Sequence, residues 1–132
     1  MTTFYDSAYK EPIHVFDYVV AIAVDAKNMV GLNAAGLLVP ATDATSVKAI
    51  GMAKADYAVG DTAQVMMGLL AFNNDTTTPV AVADLFTVGF AGDENTNITV
   101  SGAGATNTKK CGRIISIDSQ SGQVWIDTLD RD

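Results

Sequence analysis

The stretch that decides the fold is Thr78–Leu129, TPVAVADLFTVGFAGDENTNITVSGAGATNTKKCGRIISIDSQSGQVWIDTL. A segment that begins with proline leads into a short apolar strand at Phe86–Phe90. An Asp-Glu-Asn turn follows, and then a β-branched strand at Ile98–Val100. Two more strands, Gly112–Asp118 and Val124–Leu129, are joined by the turn SQSG. Short apolar runs separated by Gly, Asn, Asp and Ser are typical of strands and turns.

The preceding residues continue this pattern. The predicted strands there are short apolar runs between turn-rich segments: Met29–Leu32, Leu37–Pro40, Lys48–Lys54 and Thr62–Phe72. Gly51 inside the third run predicts a bulge or a close backbone approach. The fourth run is apolar on both faces, so it predicts a central strand or a strand with one face covered by another subunit.

The N-terminal residues differ from the rest. Residues 1–12, MTTFYDSAYKEP, place three aromatic side chains among polar ones and end at a proline, which marks a boundary. We therefore predict an N-terminal arm over 1–12 and one domain over 13–132. Ile13–Val24 is apolar on both faces, which predicts a buried strand, with a short helix as the alternative.

Composition sets the class of protein. The chain has 132 residues, of which 48% are hydrophobic and 17% charged. This length and composition predict one folded domain. Eight to ten strand-like segments then predict an all-β fold, either a small β-barrel or a β-sandwich, with an extended N-terminal arm.

Charge and hydropathy exclude two kinds of partner. The net charge is −7, whereas a nucleic-acid-binding protein needs a basic surface for phosphates. The cluster of Lys109, Lys110 and Arg113 is better interpreted as a solvated loop and strand edge. Met1–Lys10 does not have the pattern of a signal peptide, and the apolar run Val19–Val24 is too short to span a membrane. We expect neither nucleic acid nor membrane as a partner.

The residues that usually carry chemistry are scarce. His14 is the only histidine and Cys111 the only cysteine, and a single thiol forms neither an intramolecular disulfide nor a metal cluster. SGAGAT (Ser101–Thr106) resembles half of a dinucleotide-binding loop, but no helix pattern follows it. The loop DENTN lacks the spacing of a calcium loop. We predict no catalytic residues, no metal site, no cofactor and no enzymatic activity.

Several segments resemble those of the capsid decoration (cement) proteins of tailed bacteriophages and prophages. The similar segments are GLLVPATDATSVKAIGMA (Gly36–Ala53), the Val-Gly-Asp turn before Thr62, TPVAVADLFTVGFAGDENTNITV (Thr78–Val100) and CGRIISIDSQSGQVWIDTL (Cys111–Leu129). The resemblance covers roughly residues 17–129.

This resemblance implies a structural role in the virion. It implies a protein that binds the outer surface of an icosahedral capsid and reinforces it, as a homotrimer where subunits of the major capsid protein meet. The protein would be synthesised in the cytoplasm of the bacterial host and located on the capsid exterior. The alternatives are another head or tail structural subunit of a phage, a β-barrel module that binds a small ligand or carbohydrate, and an enzyme.

Aromatic residues and methionines are the candidates for contacts between subunits, because such side chains are favoured in interfaces. Phe4, Tyr5 and Tyr9 are predicted to anchor the arm to the shell or to a neighbouring copy. Four others are candidates for packing in the core or between subunits: Met66, Met67, Phe72 and Trp125.

Overall fold

The protein is nearly all β. The computed structural model describes residues 9–92, 95–99 and 109–130, and the side chains of 9–12 lie outside this description. Strands make up 54% of the described residues, and the helical content is 3%. The predicted all-β class is therefore confirmed, and of the two predicted architectures the chain has the barrel.

Nine strands are described, most of them three to eight residues long. In chain order they are β1 (Tyr9–Val19), β2 (Met29–Asn33), β3 (Leu38–Pro40), β4 (Ser46–Ala53), β5 (Thr62–Asn74), β6 (Val88–Ala91), β7 (Asn97–Thr99), β8 (Lys110–Ile117) and β9 (Val124–Asp127). A single 3₁₀ turn, Val82–Asp84, lies between β5 and β6 within the described residues.

Five strands close a small barrel in the second half of the chain. The order around the barrel is β5, β7, β6, β8 and β9, and β9 closes the barrel by pairing with β5. The pairing of β5 with β7 is parallel, and the other four pairings are antiparallel. Alternate side chains of these strands point inward. The fully buried side chains of this core include Leu70, Ile98, Ile114, Val124 and Ile126.

The remaining strands form an outer layer on the first half of β5. Strand β1 pairs with one edge of β5, and the series β4, β2, β3 continues from the other edge. An isolated parallel bridge between Val20 and Leu38 joins the two ends of this layer. This outer layer encloses a second apolar cluster that contains Val20, Val30, Leu38, Val65 and Met67.

Strand β5 belongs to both layers and bends at Gly68. Gly68 has a φ of 141°, in a region that residues with a Cβ rarely adopt. The buried Thr128 holds the bend: its Oγ1 accepts a hydrogen bond from Gly68 N at 2.8 Å, and its N donates to Gly68 O at 2.9 Å. One 13-residue strand can therefore serve two separate cores.

Most strand positions agree with the sequence predictions, and Gly51 behaves as predicted. The register between β2 and β4 shifts next to Gly51, and a Cβ at that position would lie 2.2 Å from Met66 O. The prediction of a buried strand over Ile13–Val24 is wrong. Strand β1 ends at Val19 and is largely exposed, because β5 is its only strand neighbour among the described residues.

Part of the predicted N-terminal arm, residues 9–12, belongs to a strand. Strand β1 begins at Tyr9, whose backbone pairs with Leu70 of β5. Residues 9–12 are therefore part of the sheet. Residues 1–8, which include Phe4 and Tyr5, lie outside the described residues.

Candidate interaction surface

The described residues contain no arrangement that suggests chemistry. His14 is exposed on β1, and Cys111 is buried at the start of β8. Within 9–92, 95–99 and 109–130, no three residues among His, Cys, Asp and Glu are arranged to hold a metal ion. Surfaces suited to macromolecular contact are therefore the features to consider, and two of them are formed by the described residues.

The first surface is centred on Phe86, in the loop between the 3₁₀ turn and β6. Phe86 is 64% exposed and has a φ of +68°, a left-handed conformation that is unusual for a bulky side chain. Its N donates to Ile114 O at 2.7 Å. On the preceding turn, Asp84 Oδ2 accepts a hydrogen bond from Ala81 N at 2.8 Å. The loop is therefore held in a conformation that presents the phenyl ring to solvent.

Arg113 fixes the same loop from the neighbouring strand β8. Its Nη1 donates to Phe86 O at 2.6 Å, and its Nε forms an ion pair with Asp130 Oδ2 at 2.9 Å. Leu129, next to Asp130, is 54% exposed. We call Phe86, Arg113, Leu129 and Asp130 the Phe86 patch. It combines exposed apolar side chains with a charged pair, a composition typical of interface anchors.

The second surface is the outer edge of β1. Strand β1 carries three large exposed apolar side chains, Val15 at 44%, Phe16 at 51% and Val19 at 47%. The regular part of the strand is Ile13–Val19, which pairs with Gly68–Thr62 of β5 along one edge. No described strand forms a ladder with its other edge, but Leu38 of β3 is bridged to Val20 directly after β1 and lies on that side. Exposed edges with apolar side chains favour the addition of another strand.

The residues predicted as contacts fall mainly inside the chain. Met66 and Met67 are 8% exposed and Phe72 is 2% exposed, so all three pack in the two cores. The predicted alternatives for these three residues were packing in the core and packing between subunits. In the single chain they pack in the core. Trp125 is partly buried on β9, opposite Ala71 of β5. Tyr9 contributes its backbone to the sheet.

The basic cluster Lys109, Lys110 and Arg113 does not form a free positive surface. Lys109 Nζ donates to Ser46 O, and Arg113 is engaged by Phe86 and Asp130. Lys110 is exposed on β8. Lys109 and Arg113 are therefore engaged within the fold.

Two small clefts lie on either side of Asn28. One, of about 170 Å³, is lined by residues that include Lys27, Asn73 and Gln123. The other, of about 270 Å³, is lined by residues that include Asp25 and Asn95. Both volumes are below the range of about 300–1,000 Å³ that is usual for small-molecule sites.

Sequence reasoning did not identify the Phe86 patch. It placed Phe86 at the start of a strand, because the run from Phe86 to Phe90 is apolar. A left-handed conformation at a phenylalanine has no sequence signal, since Gly, Asn or Asp would be expected there. Phe16 was missed for a related reason, because its apolar neighbours suggested burial.

Comparisons with protein-family models, with curated proteins and with solved structures give no match. Among the described residues there is no helix of the length and hydropathy needed to cross a membrane. The geometry of the two surfaces and the sequence resemblance are therefore the basis for a functional proposal.

Proposed function

We propose that this protein is a structural component of a phage virion that binds the outer surface of an icosahedral capsid and reinforces it. The partner is the major capsid protein, and the assembled form is a trimer where capsid subunits meet. The proposal assigns no catalytic activity, metal or cofactor to the chain. Its starting point is the resemblance of the segments between Gly36 and Leu129 to capsid decoration proteins.

The observation that carries the proposal is the exposed, strained Phe86. A bulky residue in the left-handed region costs about 1–2 kcal/mol, and such strain concentrates at functional sites. Phe86 is 64% exposed, and Arg113 binds its carbonyl oxygen. A loop whose backbone is fixed before binding loses little entropy on contact, which favours the use of its exposed aromatic ring as an anchor.

The barrel provides the rigidity that a reinforcing protein needs. The Phe86 loop is bonded to β8 through Ile114 and Arg113, and β8 is paired on both sides, by β6 and β9. Load applied at the patch is therefore transmitted to a closed sheet rather than to a free loop. Many copies on a repeating shell would add their contacts through avidity.

The experiment is co-sedimentation of the purified protein with undecorated capsids. We expect the wild-type protein to sediment with capsids. Phe86→Asn should bind at least about thirtyfold more weakly, because the loss of an interface anchor lowers the binding free energy by about 2 kcal/mol or more. The matched control is Val59→Asn, at a 67% exposed apolar residue in the turn before β5. Failure of the wild-type protein to bind any decoration-deficient capsid would reject the proposal.

The role of residues 1–8, the part of the predicted arm that precedes β1, is tested in the same assay. A deletion of residues 1–8 leaves β1 complete, whereas a deletion of 1–12 removes residues whose backbone pairs with Leu69 and Leu70. If Phe4 and Tyr5 anchor the arm to the shell, the shorter deletion weakens capsid binding without lowering stability. Undiminished binding would contradict that role for the arm.

A further inference from the structure

The charges next to the Phe86 patch are mainly negative. Asp127 lies directly opposite Arg113 in the pairing of β8 with β9, and Asp130 Oδ2 is 2.9 Å from Arg113 Nε. Asp84, on the 3₁₀ turn, lies two residues before Phe86. We call Asp84, Asp127 and Asp130 the acidic rim. The guanidinium of Arg113 is therefore outnumbered by the carboxylates that lie beside it and beside the exposed ring.

These charges lie on the outer surface of the barrel. Residues that are directly opposite each other in an antiparallel pair share a face of the sheet, and their neighbours in sequence point to the other face. The neighbours of Arg113 and Asp127 are Ile114 and Ile126, which are fully buried. Arg113 and Asp127 thus point away from the core, and the side chain of Asp130 is 48% exposed. The acidic rim is accessible to a partner that covers the Phe86 patch.

The fold uses one oxygen of each rim carboxylate. Asp84 Oδ2 accepts a hydrogen bond from Ala81 N at 2.8 Å, and Asp127 Oδ1 accepts one from Leu129 N at 3.0 Å. The ion pair engages Asp130 Oδ2. The second oxygen of each carboxylate has no donor among the described residues. Since both oxygens of an ionised carboxylate are acceptors, each rim residue retains an acceptor for a partner.

We propose that the capsid surface that receives the Phe86 patch is an apolar pocket bordered by lysine or arginine side chains. This inference rests on the proposed function and specifies the chemistry of its partner. Phe86 and Leu129, 64% and 54% exposed, fill the apolar part. The acidic rim accepts charge-assisted hydrogen bonds from the basic side chains, and such bonds are stronger than those between neutral groups.

A basic partner fits this surface better than an acidic one. An acidic partner would have to bind Arg113, whose Nη1 and Nε are already engaged by Phe86 O and Asp130. Its carboxylate would also lie close to Asp127 and Asp130, and like charges brought together in an interface are unfavourable. The net charge of the whole chain is −7, so the long-range field also attracts a basic surface.

The ring and the acidic rim would have different roles in binding. Burial of an aromatic anchor does not depend strongly on salt, whereas attraction between exposed charges is screened over about 10 Å at 0.1 M salt and about 3 Å at 1 M salt. Charges at the edge of an interface mainly raise the association rate and select the orientation of the partner. The wild-type protein should therefore bind capsids more weakly as the salt concentration rises.

The test is co-sedimentation with undecorated capsids at about 50 mM and about 500 mM NaCl. The double variant Asp127→Asn/Asp130→Asn removes two negative charges and keeps an oxygen acceptor at each position. We expect it to bind about tenfold more weakly than the wild-type protein at the lower salt concentration, and to differ by less than about twofold at the higher one.

The matched control is Asp56→Asn/Asp61→Asn, which removes the same charge in the segment before β5. Each of these exposed carboxylates also accepts one backbone hydrogen bond, from Ala26 N at 2.7 Å and from Ala58 N at 2.8 Å. We expect this variant to bind like the wild-type protein, within about twofold at both salt concentrations. Urea denaturation of both double variants shows whether either change lowers stability.

The outcomes separate this inference from the proposed function. If the wild-type protein binds no capsid, both are rejected. If it binds and Phe86→Asn weakens binding, but the rim variant binds like the wild-type protein, the basic partner is overturned and the capsid role stands. Tighter binding of the rim variant overturns it in favour of an acidic partner at Arg113. An equal loss in the control variant overturns it as well, because net charge alone then explains the effect.

Discussion

Replacing Phe86 by asparagine should separate binding from stability. Asparagine tolerates the left-handed conformation, so the change removes a backbone strain of about 1–2 kcal/mol. Because Phe86 is 64% exposed, the buried part of the ring is roughly 60 Å², which stabilises the fold by about 1.5 kcal/mol. The two terms nearly cancel, and the free energy of unfolding should change by less than about 1 kcal/mol.

Capsid binding should respond differently, since asparagine does not replace the ring in the proposed capsid interface. We expect a loss of at least about thirtyfold in affinity. Urea denaturation at constant slope measures the first quantity, and capsid co-sedimentation at several protein concentrations measures the second. A loss of stability above about 3 kcal/mol would show that Phe86 is a core residue. Unchanged capsid binding would refute its role as an anchor.

The other predictions concern the bend in β5 and one surface carboxylate. Thr128→Val leaves Gly68 N without its side-chain acceptor in a buried position, and should lower the free energy of unfolding by about 1–3 kcal/mol in urea denaturation; an effect no larger than that of Thr62→Val on the exposed end of β5 would contradict this. Gly68→Ala forces a Cβ into a φ of 141° and should destabilise the fold by at least about 1 kcal/mol; an unchanged thermal midpoint would show that the bend relaxes. Hydrogen bonds from the Thr45 hydroxyl and backbone N–H hold the pKa of Asp43 below its usual value. The ionised carboxylate therefore stabilises the folded state above the unfolded pKa, and this contribution is lost as pH falls through the lower folded pKa. Thr45→Val should raise the pKa of Asp43 in an NMR titration, and an unmoved titration curve would assign the shift to the backbone hydrogen bond.

The strand pattern was predictable because it depends on local chemistry. Thr62–Phe72 is apolar on both faces, which indicated a central strand, and β5 is the strand shared by both layers. Gly51 was expected at a bulge, and the 2.2 Å approach of Met66 O explains the absence of a side chain there. Strands and turns of this kind are determined by turn residues and by the alternation of apolar and polar side chains, and these signals act over a few neighbouring residues.

The two surfaces were not predictable because they depend on which elements meet. Phe16 and its neighbours have the composition of a buried strand, and only the pairing of β1 with β5 alone leaves them exposed. Phe86 owes its conformation to Ile114 and Arg113, which are more than 25 residues away. Long-range contacts of this kind override the local preference of a residue.

The position of the two surfaces on the fold bears on how the protein would act as a cement. The Phe86 patch is held by β8, on the barrel, and the edge of β1 borders the first half of β5, before the bend at Gly68. Because the two cores share β5, the barrel and the outer layer are connected through a continuous strand. Load taken up at the Phe86 patch would therefore reach the outer layer through β5.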